Sequence, residues 1–258
     1  MEKILGLPVL ASEHGRQVDD LIIYVHWLMI VLFVGWLAYF AYALFRFHRS
    51  RNPKADYFGV KNHASNYIEG AVALVEVVLL LGFAVPFWAR AVDKFPKESE
   101  ATRIQVVAQQ FNWNFRYPGK DGEFGRQDMR FVTDTNIFGI DPQDEHGKDD
   151  IQTVNDLHVP LVKNPDGKSK PVIVYISSKD VVHSFKIIAL RVTQDAIPGM
   201  RIPIWFRPTK EGRYQINCAQ LCGNSHSAMV NGFLVVESQQ AYDKWLASQK
   251  TGGAQSFE

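Results

Sequence analysis

CAQLCGNSHSAM, residues 218–229, decides how the rest of the chain is read. Cys218, Cys222, His226 and Met229 stand in a C-x-x-x-C-x-x-x-H-x-x-M spacing. Two soft thiolates, an imidazole and a thioether so close together suit copper rather than Mg, Ca or Mn. A mononuclear copper site uses one thiolate, so the second Cys needs its own explanation, and two thiolates that each bridge two ions supply one. The plainer alternative is a disulfide, but it would close only a short loop and leave His226 and Met229 unexplained. Zinc fits poorly, because a thioether is not among its usual ligands.

A loop of this kind needs a distant second imidazole. Upstream, SSKDVVHSFKI offers His183, with Val181, His183 and Phe185 on one face of an alternating strand. A lone His in an apolar strand is ordinarily a core residue; the downstream Cys/His/Met loop makes this one a ligand candidate. Beyond Pro96, the runs RIQVVAQQ, FNWNFRY, PVIVYIS, VVHSFKII, IPIWF, RYQINC and GFLVVE are separated by Gly, Pro, Asn and Asp. They predict an antiparallel β-sandwich. Residues 119–160, rich in Asp and Gly, read as an insertion between strands, and a short helix is expected around Gln239 to Ser248.

Ahead of the sandwich the apolar residues concentrate in two runs. Leu21 to Phe45 contains no Asp, Glu, Lys or Arg, and a helix of about 25 residues exceeds the roughly 30 Å hydrocarbon core. The second run, from about Ile68 to Trp88, carries Glu69 and Glu76. Between the runs, Arg46, Arg49, Arg51, Lys54 and Lys61 face the single acid Asp56, which places this loop in the cytoplasm. The chain is thus expected to comprise an external N-terminal tail (1–20), a transmembrane hairpin (21–92, cytoplasmic loop about 46–67), an external sandwich (93–250) and a C-terminal tail (251–258). For a bacterial chain this means two helices in the inner membrane and a periplasmic sandwich. The opening MEKILGLPVLAS has only a short apolar stretch and makes a weak signal segment. The net charge of +1 comes with no basic nucleic-acid surface, no nucleotide loop and no internal repeat.

DVVHSF, then DAIPG, then CAQLCGNSHSAM resembles subunit II of the haem–copper oxidases, in the cytochrome c oxidase branch with a binuclear CuA centre. The resemblance implies a cupredoxin-like sandwich on a two-helix anchor, with His183 and His226 as terminal imidazoles and Cys218 and Cys222 as bridging thiolates. It further implies Met229 as the weak ligand of one copper and the backbone carbonyl of Gln220 as a ligand of the other. Asp180 takes the position three residues before the first His, where a carboxylate could orient the loop or simply cap a turn. The implied partners are the haem-bearing subunit I, subunit III and a cytochrome c donor, within a lipid bilayer. Glu69 is near the depth at which the family's second helix marks the entrance of a proton path; Glu76, two turns on, is expected to face a partner subunit or an interhelical hydrogen bond.

Three departures stand out. In QQFNWNFRYPG, Phe111 occupies the place where a Trp commonly receives the electron, and Trp113 follows it, so both are candidates for electron input. Gln220 stands where many members carry a Glu that also binds Mg or Mn, and a neutral amide is a weak ligand for a hard cation. Asp141, Asp144, Glu145, Asp149 and Asp150 form an acidic run that reads as a docking site for a basic cytochrome c or as a solvated loop. The competing functions are the CuA subunit of a nitric oxide reductase and a membrane-tethered copper chaperone or sensor. A quinol-oxidase subunit would lack the ligands, and nitrous oxide reductase would need a propeller. No C-x-x-C-H is present, so the donor haem is expected on another chain.

Overall fold

The computed structural model describes residues 2–54, 56–59 and 61–251; the expected tail beyond Thr251 lies outside them. Two compact units result, one of Met1–Leu7 and Gln17–Lys94, the other of Pro8–Arg16 and Phe95–Glu258.

The first unit is helical. After a short helix α1 (Glu2–Leu5), helix α2 (Gly15–Arg46) begins before the apolar run at Leu21 and ends on the first base of the cationic loop. Helix α3 (Ala64–Leu79) continues through a π-helical turn at Leu80–Ala84 into α4 (Val85–Asp93). Pro86 explains the wide turn: it has no N–H to give and its ring crowds the carbonyl four residues back, so the ladder widens ahead of it. Gly15–Arg46 and Ala64–Asp93 are each long and apolar enough to span a bilayer, and neither apolar stretch is covered within the chain. Tyr24 and Phe83 meet edge to face at 5.5 Å. Glu69 and Glu76 lie exposed on α3.

The second unit is the sandwich, with ten strands among the described residues. One sheet runs β3 (Ile151–Val154), β2 (Asn112–Tyr117), β1 (Thr102–Gln109), β5 (Val172–Ser178), β8 (Ile202–Phe206). The other runs β4 (Asp156–Leu161), β10 (Gly232–Ser238), β9 (Gly212–Cys218), β6 (His183–Ile187), β7 (Val192–Ala196). The sheets are mixed rather than purely antiparallel, since β1 pairs with β5 and β10 with β4 in parallel. Their inner faces enclose one core that includes Ile104, Val106, Trp113, Phe115, Phe185, Ile187, Ile216 and Leu234.

Three regions differ from the expectation. The predicted insertion 119–160 ends early, because β3 and β4 lie inside it: Asn155, in the left-handed region at φ 58°, lets the chain leave one sheet and join the other. Its side-chain carbonyl accepts from the Trp113 N–H at 2.9 Å, and its own N–H donates to the Trp113 carbonyl at 2.8 Å. The remaining segment is held down by Arg116, fully buried and paired with equally buried Asp150; the Arg116 Nη1 donates to Gln105 Oε1 at 3.1 Å and its Nη2 to the Gly125 carbonyl at 2.7 Å. Within the acidic run Asp150 is thus buried, Asp141 pairs with Arg126 at 2.9 Å, and exposed Glu145 pairs with exposed Lys148 at 2.5 Å. Finally, part of the expected tail is docked: the Ala11 N–H donates to the Ala189 carbonyl at 2.8 Å, Glu13 to Arg207 at 3.0 Å, and the Ser12 hydroxyl to Leu190 at 2.6 Å.

Helix α5 (Gln239–Ser248), capped by the Ser238 hydroxyl, closes the end of the sandwich. Trp245 lies flat on His158 at 4.0 Å with the planes 8° apart. His158 Nδ1 sits 2.6 Å from Glu237 Oε1 and Nε2 3.2 Å from Asp156 Oδ1. Burial opposes protonation of this imidazole, but the two carboxylates outweigh it, and the pKa is raised above 6.5. A raised imidazole pKa contributes stability that is fully present below the unfolded value and is lost as pH rises through the folded one. We therefore expect the melting temperature of the domain to fall as pH is raised from about 6.5 through the raised value, and His158→Gln to flatten that dependence. An unaltered slope in the variant would remove His158 from the account.

Candidate metal centre

The ligand candidates come from two neighbouring strands of one sheet. His183 opens β6 and Cys218 closes β9, and the register sets Cys218 opposite Phe185. The Ala219 N–H donates to the Ser184 carbonyl at 2.9 Å, fixing the start of the loop beside the histidine. Val181 does not share the strand face expected of it; it lies before β6 and is partly exposed, whereas His183 and Phe185 are fully buried.

His183, Cys218 and Cys222 offer ligand atoms that all lie within 4.8 Å of one another. His183 Nδ1 is 4.0 Å from Cys218 Sγ, and His226 Nδ1 is 3.3 Å from Cys222 Sγ. The Cys218 thiol donates to the Gln220 carbonyl at 3.0 Å, so that peptide oxygen also faces the group. Met229 is buried on the 3-10 turn His226–Asn231, and its carbonyl accepts from the Trp113 indole N–H at 3.0 Å. Both cysteines are free thiols. Burial, reinforced by the adjacent Cys218, pushes the Cys222 thiol up to about 11, so a metal must displace a proton to bind there. His183, Cys218 and Cys222 converge, with His226 beside Cys222 and the Gln220 carbonyl beside Cys218, and this nitrogen and sulfur set fits soft copper better than a hard cation.

The surroundings fix the imidazole. Asp180 Oδ1 lies 2.9 Å from His183 Nε2, which leaves Nδ1 to face the sulfurs. Burial works against ionisation of Asp180, but the Gln110 N–H, the His183 ring and the Val181 N–H together hold its pKa below the ordinary value. Of the two aromatic candidates, Trp113 is wholly buried, edge-on to His183 at 6.1 Å and to Phe185 at 5.2 Å. Phe111 is only partly buried and packs over Gly223, where an added Cβ would lie 3.0 Å from its Cζ. Glu69 and Glu76 belong to the helical unit. Gln110, which touches both Asp180 and the Cys222 carbonyl, carries no signal in one sequence, being a polar residue at a turn.

The family model for the cytochrome c oxidase subunit II periplasmic domain matches residues 102–238. An alternative cytochrome c oxidase subunit 2 of Bradyrhizobium diazoefficiens is 34% identical over 94% of this chain and 83% of its own length. A cytochrome c oxidase subunit 2 of Cereibacter sphaeroides is 29% identical over 88% of this chain and 77% of its own. Among solved structures, the periplasmic domain of subunit II of cytochrome oxidase from Bradyrhizobium japonicum aligns over 59% of this chain and 94% of that one, with 24% identity and a TM-score of 0.41.

Proposed function

The chain belongs to the cytochrome c oxidase subunit II family, and on that footing we propose that His183, Cys218, the Gln220 carbonyl, Cys222, His226 and Met229 hold a binuclear copper centre. As a subunit of the oxidase, an oxidoreductase complex of the inner membrane, it is the chain through which electrons enter; its β-sandwich is periplasmic. Bound there, a copper pair supplies a one-electron acceptor and donor. The observation that carries this reading is the convergence of the His183, Cys218 and Cys222 ligand atoms within 4.8 Å, with His226 against Cys222.

Each residue then has a role of its own. The thiolates of Cys218 and Cys222 would hold the copper, and two soft sulfurs rather than one would let a pair of ions share one charge. Asp180 holds His183 in the tautomer that presents Nδ1, and Trp113 fixes the backbone at Met229. Ligands held from strand ends and a buried turn would keep one geometry in both oxidation states of the bound copper, so electron transfer there would need little reorganisation. Phe111, the partly exposed ring over the ligand loop, is the surface at which a reduced cytochrome c hands over its electron, with Trp113 behind it. Gln220 contributes only its carbonyl, and no Mg is assigned to its amide. Glu69 and Glu76, exposed on a membrane-spanning helix, require a protein partner in the bilayer. Subunit I meets that requirement, with Glu69 at the cytoplasmic mouth of a proton path, and subunit III completes the assembly.

Elemental analysis of the purified complex, with visible and electron-spin spectra, tests the copper reading. Two coppers for this chain, beyond those of the haem subunit, with a mixed-valent signal shared by both are expected. A single labile Cu(I) would overturn it in favour of a delivery protein.

A further inference from the structure

We infer that Gln110 is a positioning residue of the copper centre, tying the loop that carries Cys222 to the carboxylate that orients His183. The inference rests on the copper reading of the site. Gln110 occupies the turn between β1 and β2, where its backbone N–H has no ladder partner and instead donates to Asp180 Oδ2 at 2.8 Å. The other oxygen of that carboxylate faces His183 Nε2. From the same residue, the side-chain Nε2 donates to the Cys222 carbonyl at 2.6 Å. One turn residue thus spans the two halves of the ligand set.

The loop depends on this link. Its start is fixed at Ala219 and its end turns on its own bonds, His226 to Gly223 at 3.1 Å and Ala228 to Ser225 at 2.8 Å. Among the described residues, apart from the Cys218 thiol on the Gln220 carbonyl, the Gln110 amide is the hydrogen bond that reaches residues 220–225 from outside the loop. Gly223 makes room for it: an added Cβ there would lie 2.7 Å from Gln110 Nε2, and its φ of 143° suits glycine. Without the amide, Cys222 and His226 sit on a loop tethered only at its ends, and the geometry that both oxidation states must share is no longer enforced. Because the Asp180 bond comes from the backbone, side-chain substitution removes the Cys222 link alone.

The test compares Gln110→Ala and Gln110→Glu with wild type in the assembled oxidase. Gln110→Glu keeps the size but replaces the donor with an acceptor. Both are expected to lose copper to a Cu(I) chelator roughly tenfold faster, the lower end of the effect of an outer ligand-orienting partner. They should also shift the midpoint potential and broaden the copper spin signal, while the haem bands and thermal midpoint of the complex stay unchanged. Asn112→Ala, at the start of β2 beside that turn, serves as control, since its side chain accepts from Asn114 and does not bond the ligand loop. Wild-type chelator rates and potential in either Gln110 variant would overturn the inference, and so would equal shifts in Asn112→Ala. Absence of a two-copper signal from the wild-type complex would overturn the copper reading itself, and this inference with it.

Discussion

Cys218→Ser is expected to abolish oxidation of cytochrome c and to leave at most one copper in this chain, while the haem spectrum of the complex is unchanged. The substitution is almost isosteric at a half-buried strand end, so the β9 ladder and the Ala219 anchor persist. What changes is the donor. A serine hydroxyl is hard and stays protonated at neutral pH, so it cannot take the place of a soft thiolate between two metals. The position is also central: its sulfur faces His183 Nδ1 at 4.0 Å and the Gln220 carbonyl at 3.0 Å. Loss of a direct ligand should therefore exceed the roughly 10- to 100-fold penalty of losing an outer partner. Copper per haem, the visible spectrum and turnover with reduced cytochrome c measure the effect. Two coppers with normal turnover would remove Cys218 from the ligand set.

Of the proposed ligands, Cys218, Cys222, His226 and Met229 stand out in the sequence by their spacing on one loop, and the structure brings His183, Cys218 and Cys222 within 4.8 Å of one another with His226 beside Cys222. The strands β1, β2, β5, β6, β8, β9 and β10 were legible for a similar reason, as alternating or β-branched runs bounded by turn residues. Helix α5 lies where a short helix is expected, around Gln239 to Ser248, and the structure adds the Ser238 hydroxyl as its cap. What escaped depends on partners distant in sequence. β4 contains Asp156, His158 and Pro160, and it is a strand because it pairs with β10; β7, with Thr193, Gln194 and Asp195, depends on β6 in the same way. The docking of Ala11 to Glu13 rests on backbone bonds to Ala189 and Arg207, which no local pattern announces. Gln110 is the sharpest case: its two contacts lie 70 and 112 residues away. One of these contacts uses the Gln110 backbone N–H and the other its side-chain amide, and neither is announced by the residues around it.

Trp113→Ala should strongly destabilise the sandwich, whereas Phe111→Ala should slow electron input with little loss of stability. The sequence offered both rings as candidates for the same task, and their burial separates them. Trp113 is fully enclosed, and Gly232 lacks the Cβ that would lie 2.7 Å from its Cδ1. Truncation empties a space between Phe185 and His183, at a cost of about 3–5 kcal/mol for a buried Trp. It also deprives the Met229 carbonyl of its donor, which adds about 1–3 kcal/mol where no water enters. Trp113→Phe divides these effects, since a ring remains while the indole N–H is lost. That variant should fold, keep most of its copper and alter the potential through the slackened Met229 turn. Phe111 is partly exposed over the ligand loop, so its removal takes away surface contact but little core. Thermal loss of the copper absorbance reports the first effect, and rapid-mixing electron transfer from reduced cytochrome c reports the second. A wild-type thermal midpoint in Trp113→Ala would refute the packing account. Unchanged electron-transfer rates in Phe111→Ala would move the docking surface away from this ring, and a buried indole with no exposed atoms could not replace it as the point of first contact.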